Sequence, residues 1–416
     1  MPYSVLRLIA AVGLMTIGSG AMYIVVVVLP MVQEEFGIDR AGASLPYTLT
    51  MLGFGFGGIL MGRLADRFGV FWPVLIGVFG LSSGYWIAAQ AGSLMSFAIA
   101  HGLLLGLAGS SATFAPLVAD ISFWFERRRG IAVAIVASGN YIAGAIWPPI
   151  MQHLSATYGW RATYSGFALF TLLTMLPLAT LVLRRPPATA ESAPATPAAS
   201  GTGVPVFRPR ERSPRELLGI SSGSLQTLLL VAGVACCVAM SMPQVHIVAY
   251  CGDLGYGTAA GARMLALMLA CGIVSRLVSG VICDRIGGLR TLLLGSVLQG
   301  LSLMLFLPFD SLASLYIISA LFGLVQGGIV PAYAIIVREF FDSREAGLRV
   351  GLTLTATLVG MALGGWLSGK IFDLTGSYEA AFINGIGWNL LNGSIVIFLL
   401  LRQRRWRRLQ LVGHPA

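Results

Sequence analysis

Arg276 is the residue whose placement most demands a chemical explanation. It stands inside an apolar run, 259–282, about 12 Å along a helix from the charged turn at Asp284. A guanidinium at such a depth in hydrocarbon is costly and has to face a cavity or a partner. No Asp or Glu falls in the middle of any long apolar run of this sequence. The counter-charge is therefore expected from a ligand, and a planar guanidinium fork suits a carboxylate held by two parallel hydrogen bonds. The bland alternative is an arginine neutralised by backbone carbonyls or water.

A second group is His246, Tyr250 and Asp253, spaced i, i+4 and i+7 on one face of a helix. Histidine changes charge near neutral pH. His246 with Asp253 is thus the candidate pair for taking up and releasing a proton, against the alternative of a structural hydrogen-bonded pair at a helix mouth. Tyr333, Gln326, Asn140, Tyr141 and Asn389 are polar groups deep in apolar runs. Each is able to touch a carboxylate or hydroxyl, or to act as interhelical glue. Tyr333 leads, because its depth is close to that of Arg276. His101 has no such neighbours and reads as a packing histidine. No nucleophile–base set appears, so no enzyme is expected, and no residues have metal-ligand spacing, so neither metal nor cofactor is. The cysteines, Cys236, Cys237, Cys251, Cys271 and Cys283, lie mostly in apolar runs and read as small packing residues.

The elements that position these groups have to be membrane helices. Apolar residues make up 56% of the 416, and only 11% are charged, against roughly 25% in a soluble domain. Crossing the hydrocarbon takes about 20 apolar residues, and twelve runs qualify, from 8–30 to 379–401. Leu8 to Val32 carries no charge and is too long for the apolar part of a cleaved signal, so it reads as the first span. The net charge of +10 comes almost wholly from arginine in short loops. Only Arg40, Arg161, Arg263 and Lys370 fall on one side of the spans; apart from the intramembrane Arg276, every other Arg falls on the opposite side. Positive loops face the cytoplasm, which puts both termini there. A bilayer-embedded surface offers no face for reading nucleic acid.

One octapeptide occurs twice, about half a chain apart. Gly62-Arg63-Leu64-Ala65-Asp66-Arg67-Phe68-Gly69 and Gly280-Val281-Ile282-Cys283-Asp284-Arg285-Ile286-Gly287 both read Gly-x-x-x-Asp-Arg-x-Gly, each between two apolar runs. A second pair of charged turns follows the fourth and tenth runs, at Trp124 to Gly130 and Phe340 to Gly347. Repetition at this period means two similar halves. The fold class is an all-α membrane protein, twelve transmembrane helices in two pseudo-symmetric six-helix bundles. The bundles are expected at 1–184 and 218–416, the latter ending in a basic tail. Between them, 185–217 is rich in Pro, Ala, Ser and Thr and reads as a disordered cytoplasmic linker.

With these features the whole chain resembles the major facilitator superfamily. The resemblance implies secondary transport through a central site, with Asp66, Arg67, Asp284, Arg285, Arg128 and Arg344 as gating residues that hold the inner side shut. Finer stretches are similar to the bacterial monocarboxylate-porter branch: Gln244 to Gly255, Gly139 to Pro149 and Gln326 to Tyr333. Carboxylate-carrying relatives have an arginine where Arg276 stands. The oxalate-exchanging relatives add a lysine where this chain has Thr355, Ala356 and Thr357, so one buried cation favours a monoanion here. The animal carriers have an aspartate one turn before the arginine, where this chain has Gly272. The resemblance thus implies a bacterial-type inner (plasma) membrane protein carrying a small, lactate- or pyruvate-like carboxylate with a proton, by alternating access. Tyr333, His246, Tyr250, Asn140, Tyr141, Gln326 and Asn389 are expected beside Arg276 at the substrate. The alternatives are a drug or metabolite exporter of the same fold, whose span-five Gly-x-x-x-Gly-Pro pattern this chain lacks, and a carboxylate receptor that transports nothing.

Overall fold

The computed structural model describes residues 3–125, 129–182 and 218–412, without the side chains of 129, 343–344 and 407–412. The expected linker therefore lies outside the described residues, as does Arg128, and so does the side chain of Arg344. Among the described residues there is no β-strand. Twelve helices are long and apolar enough to cross a membrane: α1 Tyr3–Phe36, α2 Arg40–Phe68, α3 Phe71–Ala89, α4 Leu94–Ile121, α5 Gly130–Tyr158 and α6 Trp160–Thr180, then α7 Ser222–Asp253, α8 Thr258–Ile286, α9 Gly288–Leu305, α10 Leu312–Phe340, α11 Glu345–Thr375 and α12 Tyr378–Trp406. Most run several residues past the apolar stretches, because backbone hydrogen bonds continue into the polar layer where side-chain charge is tolerated.

Helix ends follow local chemistry. The Asp39 carboxylate accepts from the Gly42 N–H at 2.7 Å and starts α2; Ser93, Ser221 and Ser311 cap α4, α7 and α10 in the same way. The last glycine of each repeated octapeptide, Gly69 and Gly287, has φ of +88° and +83° and closes its helix through an N–H bond to Ala65 O and Cys283 O. That backbone region is open to glycine at little cost, which explains why the repeat ends as it does.

Consecutive helices run antiparallel. The Tyr3 hydroxyl bonds Leu181 O at 2.7 Å, and Arg402 bonds Gly219 O at 3.2 Å; because the start of α2 meets the end of α11 through Arg40 and Asp373, alternation puts all four of these segments at the end of the bundle away from that contact, here the terminal end. The other is the distal end. One apolar core is built only from residues of the first half, between Ala11 and Val182. The other draws on the second half and on Met22, Val26, Tyr47, Met51 and Phe54 of α1 and α2. The halves meet mainly where α2 packs on α11 and α5 on α8. Large apolar side chains such as Phe56, Phe79, Leu103, Leu173 and Ile317 remain exposed on the outside, as a lipid-facing surface requires.

Arg7, read from the sequence as a flanking charge, is fully buried in α1. Its Nε and Nη2 each donate to Asp120 of α4 at 2.7 Å, and its guanidinium lies 4.6 Å from the Trp124 ring. In α4, residues Ala100–Ser110 are wound as a π-helix. Glycines on both helices let α2 close in: a Cβ on Gly106 would sit 2.6 Å from Thr50 O, and one on Gly53 of α2 2.1 Å from Gly102 O. His101 lies in this stretch, bonding Phe97 O at 2.9 Å and the Tyr164 hydroxyl at 3.3 Å.

Candidate functional site

A cavity of about 440 Å³ opens between the halves at mid-depth. Its wall takes Met22 and Tyr23 from α1, Tyr47, Met51 and Phe54 from α2, Phe114 from α4, and Asn140 and Tyr141 from α5. From the second half come Met240 and Gln244 of α7, Leu269 and Arg276 of α8, and Thr355, Thr357 and Met361 of α11. It extends towards the terminal end along Gly58, Ile59 and Gly351.

Among the described wall residues Arg276 carries the only formal charge. Its side chain is half-buried. Nη1 donates to Ala137 O of α5 at 2.8 Å, and the guanidinium lies 4.8 Å from the Tyr141 ring centre. A backbone carbonyl and a π-face orient a cation without cancelling its charge. The remaining N–H donors stay available to an anion. Gly272 makes this stacking possible, since a Cβ there would meet the Tyr141 ring at 2.5 Å. Gly272 is therefore the seat of the Tyr141 ring. Beside it, the Tyr23 hydroxyl donates to Asn140 Oδ1, a short bond between α1 and α5. Gln244 Nε2 donates to Gln326 Oε1 at 2.6 Å behind the wall.

The structure thus brings Asn140 and Tyr141 together with Arg276. It does not bring the other expected contacts there. Tyr333 of α10 is fully buried and is not part of the cavity wall, accepting from Asn392 Nδ2 at 2.6 Å. Asn389 donates to Gln299 Oε1 at 3.3 Å within the second half. Gln326 is buried behind Gln244. Depth along a helix is readable in one dimension; the side of the helix that meets the cavity is not. Tyr23 and Gln244 do face it; Tyr23 carried no signal except position and Gln244 only its place in a stretch similar to the porter branch, so their role becomes recognisable only from which faces of α1 and α7 turn inward.

His246, Tyr250 and Asp253 lie outside this wall, at the distal end. His246 Nε2 bonds Gly365 O of α11 at 2.8 Å. Tyr250 packs its ring 5.0 Å from that of Tyr378. Asp253 pairs with Arg40 of the first half at 2.7 Å. Arg40 was read from the sequence only as a loop charge, yet it is the centre of a closure. Its backbone N–H and that of Ala41 donate to the two oxygens of Asp373 at 2.8 Å each, so Asp373 caps the start of α2 from across the halves. Its guanidinium also faces the rings of Phe372 at 5.0 Å and Tyr378 at 5.9 Å. Thr48 to Ala362 O at 3.2 Å and Gln152 to Thr258 at 2.7 Å add two further ties near this end. An Asp-Arg pair at the start of one span, with acids at the ends of two others on the same side, was the signal available for this closure.

At the terminal end, Asp66, Arg67, Asp284 and Arg285 are exposed, and among the described residues none of them makes an ion pair. These four expected gating charges thus make no ion pair with one another in a conformer whose distal end is joined by Arg40 and Asp253.

Comparison with known proteins agrees with this architecture. A family model described as Major Facilitator Superfamily matches residues 10–309 and 264–413. Monocarboxylate transporter 13 of Rattus norvegicus is 29% identical over 362 residues, 86% of this chain and 78% of its own. Agnestins efflux protein AgnL12 of Paecilomyces divaricatus is 22% identical over 374 residues, 88% of this chain and 80% of its own. The crystallised nucleoside transporter NupG shares the fold, with a TM-score of 0.72 at 14% identity, covering 95% of this chain and 99% of that one. With twelve spans, a matched family model across nearly its whole length and transporters as relatives, the chain belongs to the Major Facilitator Superfamily and is an integral membrane transporter, not an enzyme.

Proposed function

We propose that this transporter moves a monocarboxylate together with a proton, through a site that opens alternately to either face of the membrane. Arg276 carries the reading: a cation on the cavity wall, tethered by a carbonyl and a ring, with no Asp or Glu among the described wall residues. The similarity to the rat monocarboxylate transporter supports it. The bodies that rock are the bundles 1–184 and 218–416, with both termini in the cytoplasm. An unliganded Arg276 resists reorientation, and the neutralised site releases it.

The proton is carried at the distal closure by Asp253 with His246. Asp253 holds Arg40, and His246 lies beside Tyr378, whose ring Arg40 also faces. A proton on Asp253 removes its half of the ion pair and loosens that end. The gating role of Asp66, Arg67, Asp284 and Arg285, with Arg128 and Arg344, is to make the corresponding closure at the cytoplasmic end in the opposite conformer.

Proteoliposomes provide the test. An inward proton gradient is expected to drive accumulation of a labelled monocarboxylate but not of its amide. Arg276→Gln is expected to lower uptake at least about 30-fold, the ~2 kcal/mol lower end for truncating one partner of a desolvated charge pair. Asp253→Asn is expected to keep exchange down a substrate gradient while losing accumulation against one. Uptake undiminished in Arg276→Gln overturns the site, and full proton-driven accumulation in Asp253→Asn overturns the coupling. A metabolite exporter is the second reading, favoured by the mostly apolar wall and the fungal relative's name. An uncharged cargo that moves equally well in Arg276→Gln would establish it.

A further inference from the structure

Four methionines from four different helices converge on the cavity: Met22 of α1, Met51 of α2, Met240 of α7 and Met361 of α11. The rings of Phe54 and Phe114 line the same cavity, 5.8 Å apart at their centres. Thioethers are polarisable, adapt to irregular shapes and make favourable contacts with aromatic rings. The polar residue types on this wall are largely spoken for. Ser111 donates to Leu107 O at 2.5 Å and Thr357 to Leu354 O at 2.6 Å, both within their own helices, and Gln244 donates to Gln326. Tyr47 and Thr355 add hydroxyls, enough for one polar substituent and for no second charge. The polar face is gathered at Arg276, Tyr141, Asn140 and Tyr23, where α1, α5 and α8 meet.

From this asymmetry we infer that the acid carried here has a bulky apolar body, an aryl or large branched-alkyl group, projecting from its single carboxylate onto the methionine-lined wall. The inference rests on the carboxylate reading of Arg276 and adds the class of the rest of the molecule. The cavity's 440 Å³ falls in the range of roughly 300–1,000 Å³ typical of pockets that enclose ligands of drug-like size. A three-carbon acid on Arg276 would displace only a few waters, each taking about 30 Å³. It would leave the thioethers of Met51, Met240 and Met361 and the two rings facing solvent, while Met22 Sδ accepts from Asn140 Nδ2 at 4.0 Å beside the polar face. Each methylene that an acid does bury there tightens binding by about fourfold. The lone cation and the satisfied hydroxyls select against a dicarboxylate or a sugar acid, whose extra polar groups would lose water without finding partners.

Titration calorimetry on the full chain in lipid nanodiscs tests this, with acetate, lactate, benzoate, phenylacetate, 3-phenylpropionate and phenylacetamide as probes. The aryl acids are expected to bind at least about 100-fold tighter than acetate and lactate. Phenylacetamide is expected to bind at least tenfold more weakly than phenylacetate. Phe114→Ala is expected to weaken the aryl acids about tenfold while leaving the small acids within about twofold. Met51→Gln provides a second alteration of the apolar wall, with the same pattern expected. Lactate binding as tightly as every aryl acid would overturn the inference while leaving the carboxylate reading intact. Amide and acid binding alike would overturn the carboxylate reading itself. Binding of none of the probes would overturn both.

Discussion

At the scale of single residues, two arginines in spanning helices meet opposite fates. Arg7 is fully buried against Asp120 with both oxygens engaged and a tryptophan over its face. Arg276 has a carbonyl and a tyrosine but no carboxylate. The first is complete and structural; the second is poised for an anion. Removing one partner of a buried pair leaves an uncompensated charge and costs about 3–5 kcal/mol. Asp120→Asn is therefore expected to lower the thermal midpoint in detergent sharply. The double variant Arg7→Met, Asp120→Leu is expected to recover most of the loss, since an apolar pair of similar volume removes the stranded charge. A double variant no more stable than Asp120→Asn would assign the effect to something other than that charge. From the sequence both arginines were visible. Which of them was satisfied was not, because the partner of Arg7 arrives from a helix more than a hundred residues away.

At the scale of helices, glycine decides which elements come together. Gly272 leaves room for the Tyr141 ring, and Gly327 lets α10 approach the α8 backbone, where a Cβ would lie 2.3 Å from Gly272 O. Gly272→Ala puts a methyl 2.5 Å from a Tyr141 ring carbon, so the ring has to shift and take the Arg276 tether with it. The variant is expected to keep its thermal midpoint within a few degrees, because alanine also strengthens the helix by up to about 1 kcal/mol, while the affinity for the carboxylate falls about tenfold. Parallel unfolding and binding curves separate the two quantities; unchanged affinity would mean that Tyr141 does not position Arg276. The 52 glycines of the sequence suit close helix contacts, and the doubled octapeptide announced its two turns. Pairing of particular glycines with particular neighbours depends on the rotation of each helix, which a glycine-rich pattern leaves open.

At the scale of the molecule, the two halves are held at the distal end by Arg40, while Asp66, Arg67, Asp284 and Arg285 make no ion pair at the terminal end among the described residues. Arg40→Ala removes the ion pair to Asp253 and the stacking on Phe372 and Tyr378, while the backbone bonds to Asp373 remain. The expected result is a shift towards the conformer open at the distal end. A membrane-impermeant maleimide should label Thr48→Cys from the distal side faster in the Arg40→Ala background. Equal rates in both backgrounds would remove Arg40 from the closure. The surface-exposed part of such a pair contributes little stability by itself, so the effect is on the balance between conformers and not on folding.

The amino-acid sequence by itself determined the twelve crossings, the two-fold repeat, the turns at Gly69 and Gly287 and the depth of Arg276. Each of these is written along the chain, as a run of apolar residues, a recurrence or a distance from a charged turn. Tertiary structure decided that Asn140 and Tyr141 join Arg276 while Tyr333, Gln326 and Asn389 do not, that Asp253 binds Arg40, and that methionines from four helices share one wall. Those outcomes depend on the rotation of each helix about its own axis. Rotation is set by packing between segments remote in sequence, and an all-round apolar helix carries almost no hydropathy signal of which face turns inward.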